Sequence, residues 1–313
     1  MFDKLKIFSR DILRNRAMLL MVLPGALWFL LFSYLPMAGT IISFKQYRYS
    51  KDGFFASIMN SKWVGLDNFK FLFSTSDAYI ITRNTVLYNA AFIILGLILA
   101  VALAIILVEL TNRRLSKFFQ TAMFMPYFLS WVIVGYFVFS FLSFDKGLMN
   151  KTLEWMGMER INWYSEPSKW PFILVLVNLW KGVGYSSVVY LAAIMGIDRS
   201  LYEAAMIDGA GKWKQITNIT IPLLAPVISI MTLLAVGKIF YADFGLFYQV
   251  PRDSGLLYSM TNVIDTYVFR GLKVNGEIGM STAAGLYQSF VGFLLVLLSN
   301  YIVRRKNKDN ALF

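Results

Sequence analysis

The chain contains no cysteine and no histidine among its 313 residues. The first absence excludes disulfides, thiol nucleophiles and cysteine-ligated metals. The second removes the side chain that most often serves as a general base near neutral pH. Charge is scarce as well: 15% of residues are Asp, Glu, Lys or Arg, against about a quarter in soluble domains. No G-x-x-x-x-G-K-[ST] run occurs, since AGKW at 210–213 and VGKI at 236–239 lack the upstream glycine and the Ser/Thr that a phosphate-cradling loop needs. The expectation is a chain that is not an enzyme and binds no cofactor or metal of its own. No low-complexity segment, flexible linker or second soluble domain is visible.

What the sequence has instead is apolar length. Hydrophobic residues make up 58%, gathered in six runs at about 17–43, 84–110, 120–142, 170–196, 222–242 and 279–303. About 20 apolar residues suffice to cross the ~30 Å hydrocarbon core as a helix. The runs predict an all-α integral membrane protein with about six transmembrane helices. The basic start runs into the first span with no A-x-A cleavage site, so that span reads as retained rather than as a signal peptide. The organisation expected is a basic tail (1–16), a six-span domain (17–303) with a charged loop at 198–221, and a second basic tail (304–313).

The net charge of +12 raises nucleic acid as a partner, but in a membrane chain basic residues set topology, and no nucleic-acid partner is expected. Lys4, Lys6, Arg10, Arg14 and Arg16 in one tail, Arg304, Arg305, Lys306 and Lys308 in the other, Arg113, Arg114 and Lys117 in loop 111–119, and Arg199, Lys212 and Lys214 in loop 197–221 mark one side densely. That side is expected to be cytoplasmic, with both termini there and loops near 44–83, 143–169 and 243–278 outside. WVGLDNFKFLF (63–73), with Asp67 as N-cap, suggests a short interfacial helix, and INWYSEPSKW (161–170) an aromatic belt.

One stretch is too polar for its surroundings: LYEAAMIDGAGKWKQITNITIPLL (201–224). Ser200 to Glu203 spells a capping box, Leu201 to Ile207 gives two helical turns, and Asp208-Gly209 stops them. A second short helix follows from Gly211 with Trp213, Ile216 and Ile219 near one side, and Pro222 and Pro226 sit where a membrane helix restarts. The residues alone leave two readings open. The stretch is a polar connector in which Glu203 is a capping residue worth ~1 kcal/mol, or it is a lever joined to span five.

EAAMIDGA (203–210), with Ile219 and Pro222, resembles the EAA loop of permease subunits of binding-protein-dependent ABC importers: Glu203, Ala204, Ala205, Gly209, Ile219 and Pro222 all match. LPGALWFLLFSYLPMAGTIISFKQY (23–47), WVGLDNFKFLF (63–73), FFQTAMFMPYFLSWVIVG (118–135), LWKGVGYSSVVYLAAIMGIDRSLYEAA (179–205) and NVIDTYVFR (262–270) resemble the LplB-like oligosaccharide and polysaccharide permeases, related to the maltose type. The resemblance implies a type I importer fold in a bacterial cytoplasmic membrane. It implies that Glu203, Ala204, Ala205, Asp208 and Gly209 belong to a cytoplasmic coupling helix docking on an ATPase, with Ile219 and Pro222 completing the motif. The implied partners are a second, homologous permease in a heterodimer, two ABC ATPase subunits that hold ATP and Mg, an extracellular solute-binding protein expected as a lipoprotein, and a glycan cargo.

A sugar path wants aromatic planes beside hydrogen-bonding groups. Asn178, Lys181 and Tyr185 share one face of span four, with Trp180 beside it. Lys181 lies ~16 Å along the helix from Trp170, near the bilayer midplane, where an ionisable group faces a cavity or a partner. Two readings stay open for it: lining the path, or pairing with a carboxylate or carbonyl at the interface with the second permease. Gly182 and Gly184 beside it suggest close helix packing. Tyr241 and Asp243 at the end of span five, and Tyr287 and Gln288 in span six, are further path candidates. Tyr287, Gln288, Tyr88 and Asn89 read individually more as helix–helix bonding groups than as ligand contacts. Lys238 reads as a snorkelling residue. Loop 243–258 is expected to roof the cavity or to meet the binding protein.

Rival readings are an ATP-independent channel or secondary carrier with Lys181 and Asp243 as switch groups, an ABC importer of a non-sugar solute, and a membrane enzyme acting on polysaccharide. No acidic cluster stands at a span mouth to support the last.

Overall fold

The computed structural model describes residues 14–74, 76–306 and 311. Lys4, Lys6, Arg10 and Lys308 lie outside them, as do most of the tails expected at 1–16 and 304–313. Five described helices are long and apolar enough to cross a membrane, and a bent pair is a sixth if its two halves form one span. The described residues form two compact units, one within residues 1–70 and 277–286 and the other within residues 71–276 and 287–313.

In the first unit, α1 (Arg16–Phe44) is the first span, with Pro24 inside it and Pro36 where its winding tightens. It leads into β1 (Lys45–Gln46), which pairs antiparallel with β2 (Lys62–Trp63) around α2 (Phe54–Asn60). Polar side chains hold this small lobe together: Ser61 Oγ donates to Ser57 O at 2.6 Å, and Asn68 Nδ2 donates to Ser43 O and Lys45 O at 2.9 Å each. Asp67 caps no helix. The stretch is a tight turn at Asp67–Phe69 followed by one helical turn at Phe71–Ser74, and Asp67 pairs with Lys70 at 2.8 Å.

The second unit opens with the helical turn at Phe71–Ser74, followed by α3 (Ser76–Glu109), which begins eight residues before the expected span. At 1.5 Å per residue its 34 residues run ~51 Å, so part of it stands outside a ~30 Å core. Asp77 in its first turn suits the positive end of the helix dipole.

The third span is not the continuous helix expected at 120–142. It comprises α4 (Arg113–Phe124), whose winding continues to Phe128, and α5 (Trp131–Leu142), bent 100° from each other. The break has a local cause. Pro126 withholds a backbone N–H, Leu129 and Ser130 are extended, and Ser130 Oγ accepts from Ile133 N at 3.3 Å to start the second half. α6 (Leu148–Trp155) follows. The aromatics of 161–170 close this loop rather than facing lipid: Trp163 Nε1 donates to Asn150 Oδ1 at 3.0 Å, Trp170 is fully buried, and its Nε1 donates to Trp163 O at 2.7 Å. Each ring N–H thereby finds an acceptor indoors.

α7 (Trp170–Met195) is span four as expected. Gly184 lies against the backbone of Met123, where any Cβ would collide with the carbonyl, so α4 and α7 meet backbone to backbone there. α8 (Arg199–Ile207) is the first helix of the charged loop. The second helix expected there is not separate. α9 (Lys212–Val236) runs unbroken from the loop into span five and ends six residues before the expected 242. Pro222 therefore sits inside a helix and restarts nothing. The turn just before it, Ile216–Thr220, is wound wide, which makes room for the proline ring and its missing N–H. α10 (Phe244–Gln249), α11 (Ile264–Arg270) and α12 (Ile278–Lys306) complete the chain.

One core packs Tyr88, Val134, Trp170, Leu174, Leu246, Phe247, Val250 and Leu257 together. The loop at 243–258 thus supplies core side chains rather than only a roof. A second core joins α3, α7 and α9 through Ala100, Ala104, Leu107, Tyr190, Ile194 and Leu224.

Candidate functional site

Two constellations in the second unit gather most of the candidate residues. The first is the charged loop. Its cap is Asp198, not Ser200: Asp198 Oδ1 accepts from Ser200 N at 2.9 Å, and this bond holds the exposed carboxyl below its usual range. Ser200 falls inside the first turn of α8. The other end closes by backbone alone. Ala210 N donates to Ala205 O at 2.8 Å and Gly209 N to Met206 O at 3.1 Å, with Gly209 at φ +75°. That pairing is the helix-ending turn that requires a left-handed residue, which explains the glycine at this position.

Three side-chain bonds fix the loop to the membrane helices. Tyr202 Oη lies 2.9 Å from Thr220 Oγ1, Gln215 Nε2 donates to Ala210 O at 2.8 Å, and Lys212 pairs with Glu109 at 2.8 Å. Glu203, Ala204 and Asp208 are exposed, Ala205 and Ile219 are half-buried, and Pro222 is exposed on α9. Large apolar side chains face outward beside them: Ile207 is 86% exposed and Trp213 75%. Behind α8 a cavity of about 440 Å³ is lined by Glu109, Tyr202, Glu203, Met206 and Lys212, among others. The arrangement is a short helix held at both ends, carrying an uncovered face of mixed apolar and charged groups.

The second constellation is the break in span three. Lys181 Nζ donates to Tyr127 O at 2.7 Å and lies over the rings of Tyr127 and Trp131 at 5.2 and 5.0 Å. Trp131 Nε1 in turn donates to Asp243 Oδ2 at 2.8 Å, and Asp243 Oδ1 caps α10 by accepting from Gly245 N at 2.9 Å. A carbonyl freed inside a membrane must find a donor, and the C-terminal end of α4 favours a cation. Lys181 meets both needs within its own chain. Tyr185 stacks on Tyr127 at 4.2 Å and 9°, a parallel aromatic pair left 44% exposed at Tyr185. Asn178 is half-buried and Trp180 exposed along the same helix.

The remaining candidates do not join that cluster. Gln288 is buried, its Nε2 donating to Phe240 O at 2.6 Å and Asp265 Oδ2 at 3.2 Å. Asp265 also accepts from Ala242 N at 2.8 Å, and burial raises its carboxyl above the usual range in spite of these bonds. Tyr241 Oη lies 2.6 Å from Ser289 Oγ, and Tyr287 packs edge-on against Phe240. Tyr88 and Asn89 bind the backbone after span five, at Met260 O and Ile239 O, 2.9 Å each. Lys238 is exposed in the turn beyond Val236. Among the described residues, no cluster of acidic side chains is arranged to hold a metal ion.

Sequence reasoning missed Tyr127, Trp131, Asp198 and Asp265. Pro126 and Ser130, a helix breaker and an N-cap residue four positions apart, were the available signal for the first two, and Asp198 stood two residues from the residue taken as the cap.

Residues 92–308 match the family described as binding-protein-dependent transport system inner membrane components. The chain belongs to that family. It is thus an integral inner-membrane permease of the ABC importer type. It is 34% identical to the polygalacturonan/rhamnogalacturonan transport system permease YteP of Bacillus subtilis, across 98% of this chain and 94% of that one. It is 31% identical to protein LplB of the same organism, across 95% and 91%. Its fold matches a chain of the crystal structure of a bacterial ABC transporter that imports the acidic polysaccharide alginate. That match has a TM-score of 0.85 and 33% identity, and covers 96% of this permease and 99% of that chain. A structure of a bacterial alginate ABC transporter with its pentasaccharide-bound periplasmic protein matches equally well.

Proposed function

We infer that this permease is one membrane half of an ATP-driven importer whose cargo is an acidic oligosaccharide derived from a polysaccharide. The observation that carries the reading is similarity along nearly the whole chain to permeases named for acidic polysaccharides, in sequence for polygalacturonan and in fold for alginate. The partners are a second permease, two ATPase subunits that hold ATP and Mg, and an extracellular binding protein. Both termini lie in the cytoplasm, on the side of the basic loops at 111–119 and 197–221.

The uncovered face of α8, with Glu203, Ala204, Ala205 and Asp208, docks on an ATPase subunit. Because α8 is tied to α9 through Tyr202–Thr220, the turn after it to α9 through Gln215–Ala210, and α9 in turn to α3 through Lys212–Glu109, a push on α8 reaches α9 directly and α3 through it. Rigid linkage of this kind transmits a displacement only between packed elements with discrete arrangements. The cargo passes along α7, stacking on the Tyr127–Tyr185 pair, with Trp180 and Asn178 beside it and Tyr241 and Tyr287 further along. Sugar rings present weakly apolar faces that such planes accept.

Disruption of the gene in its native host tests the cargo class. Uptake of labelled oligogalacturonates or oligoalginates falls to background in the disrupted strain and returns on complementation, while uptake of neutral oligosaccharides is unchanged. Unaltered uptake of every acidic oligosaccharide, with loss of a neutral one, contradicts the assignment.

A further inference from the structure

Three cations lie in the first five residues of α4, Arg113, Arg114 and Lys117, and all three side chains are exposed. Among the described residues none has an acidic partner: the ion pairs are Lys70–Asp67, Arg160–Glu154, Lys212–Glu109 and Arg270–Asp253. The helix does not compensate them either, because its dipole opposes positive charge in the first turn.

At about 100° per residue the side chains of α4 sort into three arcs. Ser116, Gln120 and Met123 form a half-buried arc turned to the chain, where Ser116 Oγ donates to Leu107 O at 3.0 Å and the Met123 backbone rests on Gly184. The cations form a second arc. Phe118, Leu115 and Phe119, 65%, 44% and 38% exposed, form the third, contiguous with the cations. A basic arc beside exposed rings on a helix that opens a membrane span is the chemistry of a bilayer surface, with phosphates at the cations and the acyl boundary at the rings.

We propose that Arg113, Arg114 and Lys117 bind the headgroup of an anionic phospholipid, with Phe118 and Leu115 against its acyl boundary. Charge complementarity and continuity with a span select this occupant. Basic residues at a span end also orient insertion. That role ends once the chain is inserted, whereas a headgroup site persists in the purified protein. The far end of the same winding carries Tyr127 O, held by Lys181, so a bound headgroup anchors the first half of the broken span at one end while Lys181 holds the other. The site depends on α4 alone and stands whether or not the cargo assignment does.

The test is native mass spectrometry of the full-length chain, purified with whatever subunits accompany it, delipidated, and titrated with phosphatidylglycerol or phosphatidylcholine. The wild type is expected to retain phosphatidylglycerol in preference. The variant R113Q/R114Q/K117Q is expected to lose that preference by about a hundredfold, at roughly fivefold per cation. Single substitutions, each expected to cost roughly fivefold, serve if the triple variant does not insert. Equal retention of the two lipids by the wild type, or an undiminished preference in the variants, overturns the proposal. Competition by inorganic phosphate alone would assign the site to a free anion instead. Loss of an associated protein with lipid retention unchanged would assign the arc to a protein partner, and either result also overturns it.

Discussion

Gly209→Pro abolishes transport while leaving the permease in the membrane. Gly209 stands at φ +75°, and proline is fixed near −65°. The substitution also deletes the Gly209 N–H that closes the end of α8 on Met206 O. A nine-residue helix does not persist alone in water, so α8 depends on its two ends. Pro in such a position costs about 3 kcal/mol or more, enough for about a hundredfold loss in a coupled step. None of the membrane-embedded packing is touched, so the variant should reach the membrane fraction at wild-type abundance. Glu203→Lys tests the same face without disturbing the backbone, because Glu203 is exposed, and it should also abolish uptake. Uptake assays beside immunoblots of membrane fractions check both, and normal uptake by the pair would reduce α8 to a connector.

Lys181→Met destabilises the permease whatever its cargo. Removing the ammonium strands Tyr127 O at the break between α4 and α5 and removes the cation lying over Trp131. A lost hydrogen bond to a charged group costs about 2 kcal/mol, more where no water replaces it. The melting temperature in detergent should fall by several degrees, and uptake of the acidic oligosaccharide by about tenfold or more. Lys181→Arg keeps a charged donor and should recover much of the stability. A change in preference between acidic and neutral oligosaccharides with no change in melting temperature would instead place Lys181 among cargo-binding groups.

The spans were legible because apolar length is a composition-level signal that survives errors in detail. Trp170–Met195 emerged almost to the residue, bounded by aromatics on one side and Gly196 on the other. The break at 129–130 was not legible, since FMPYFLSWV is apolar on both sides of a single Ser130 and a hydropathy count runs straight through it. Pro222 misled for a related reason. A proline reads as a helix start, but a widened turn ahead of it lets α9 continue. In the charged loop, Asp208-Gly209 announced its turn because only glycine accepts the required backbone angle cheaply. The choice between Asp198 and Ser200 as cap turned on geometry that both residue types satisfy. The path candidates were the least legible group. Gln288 and Asp243 are polar residues at membrane depth or its edge, and such residues bind backbone and ring N–H groups as readily as they bind sugars.

The most direct test of the central assignment is affinity purification of the tagged permease from native membranes in mild detergent, with identification of every co-purifying protein. The account predicts a second permease of the same family and an ABC ATPase, both recovered with the wild type, and the ATPase lost from Glu203→Lys. Recovery of this chain alone, under conditions that keep another ABC importer of the same cells assembled, would contradict it.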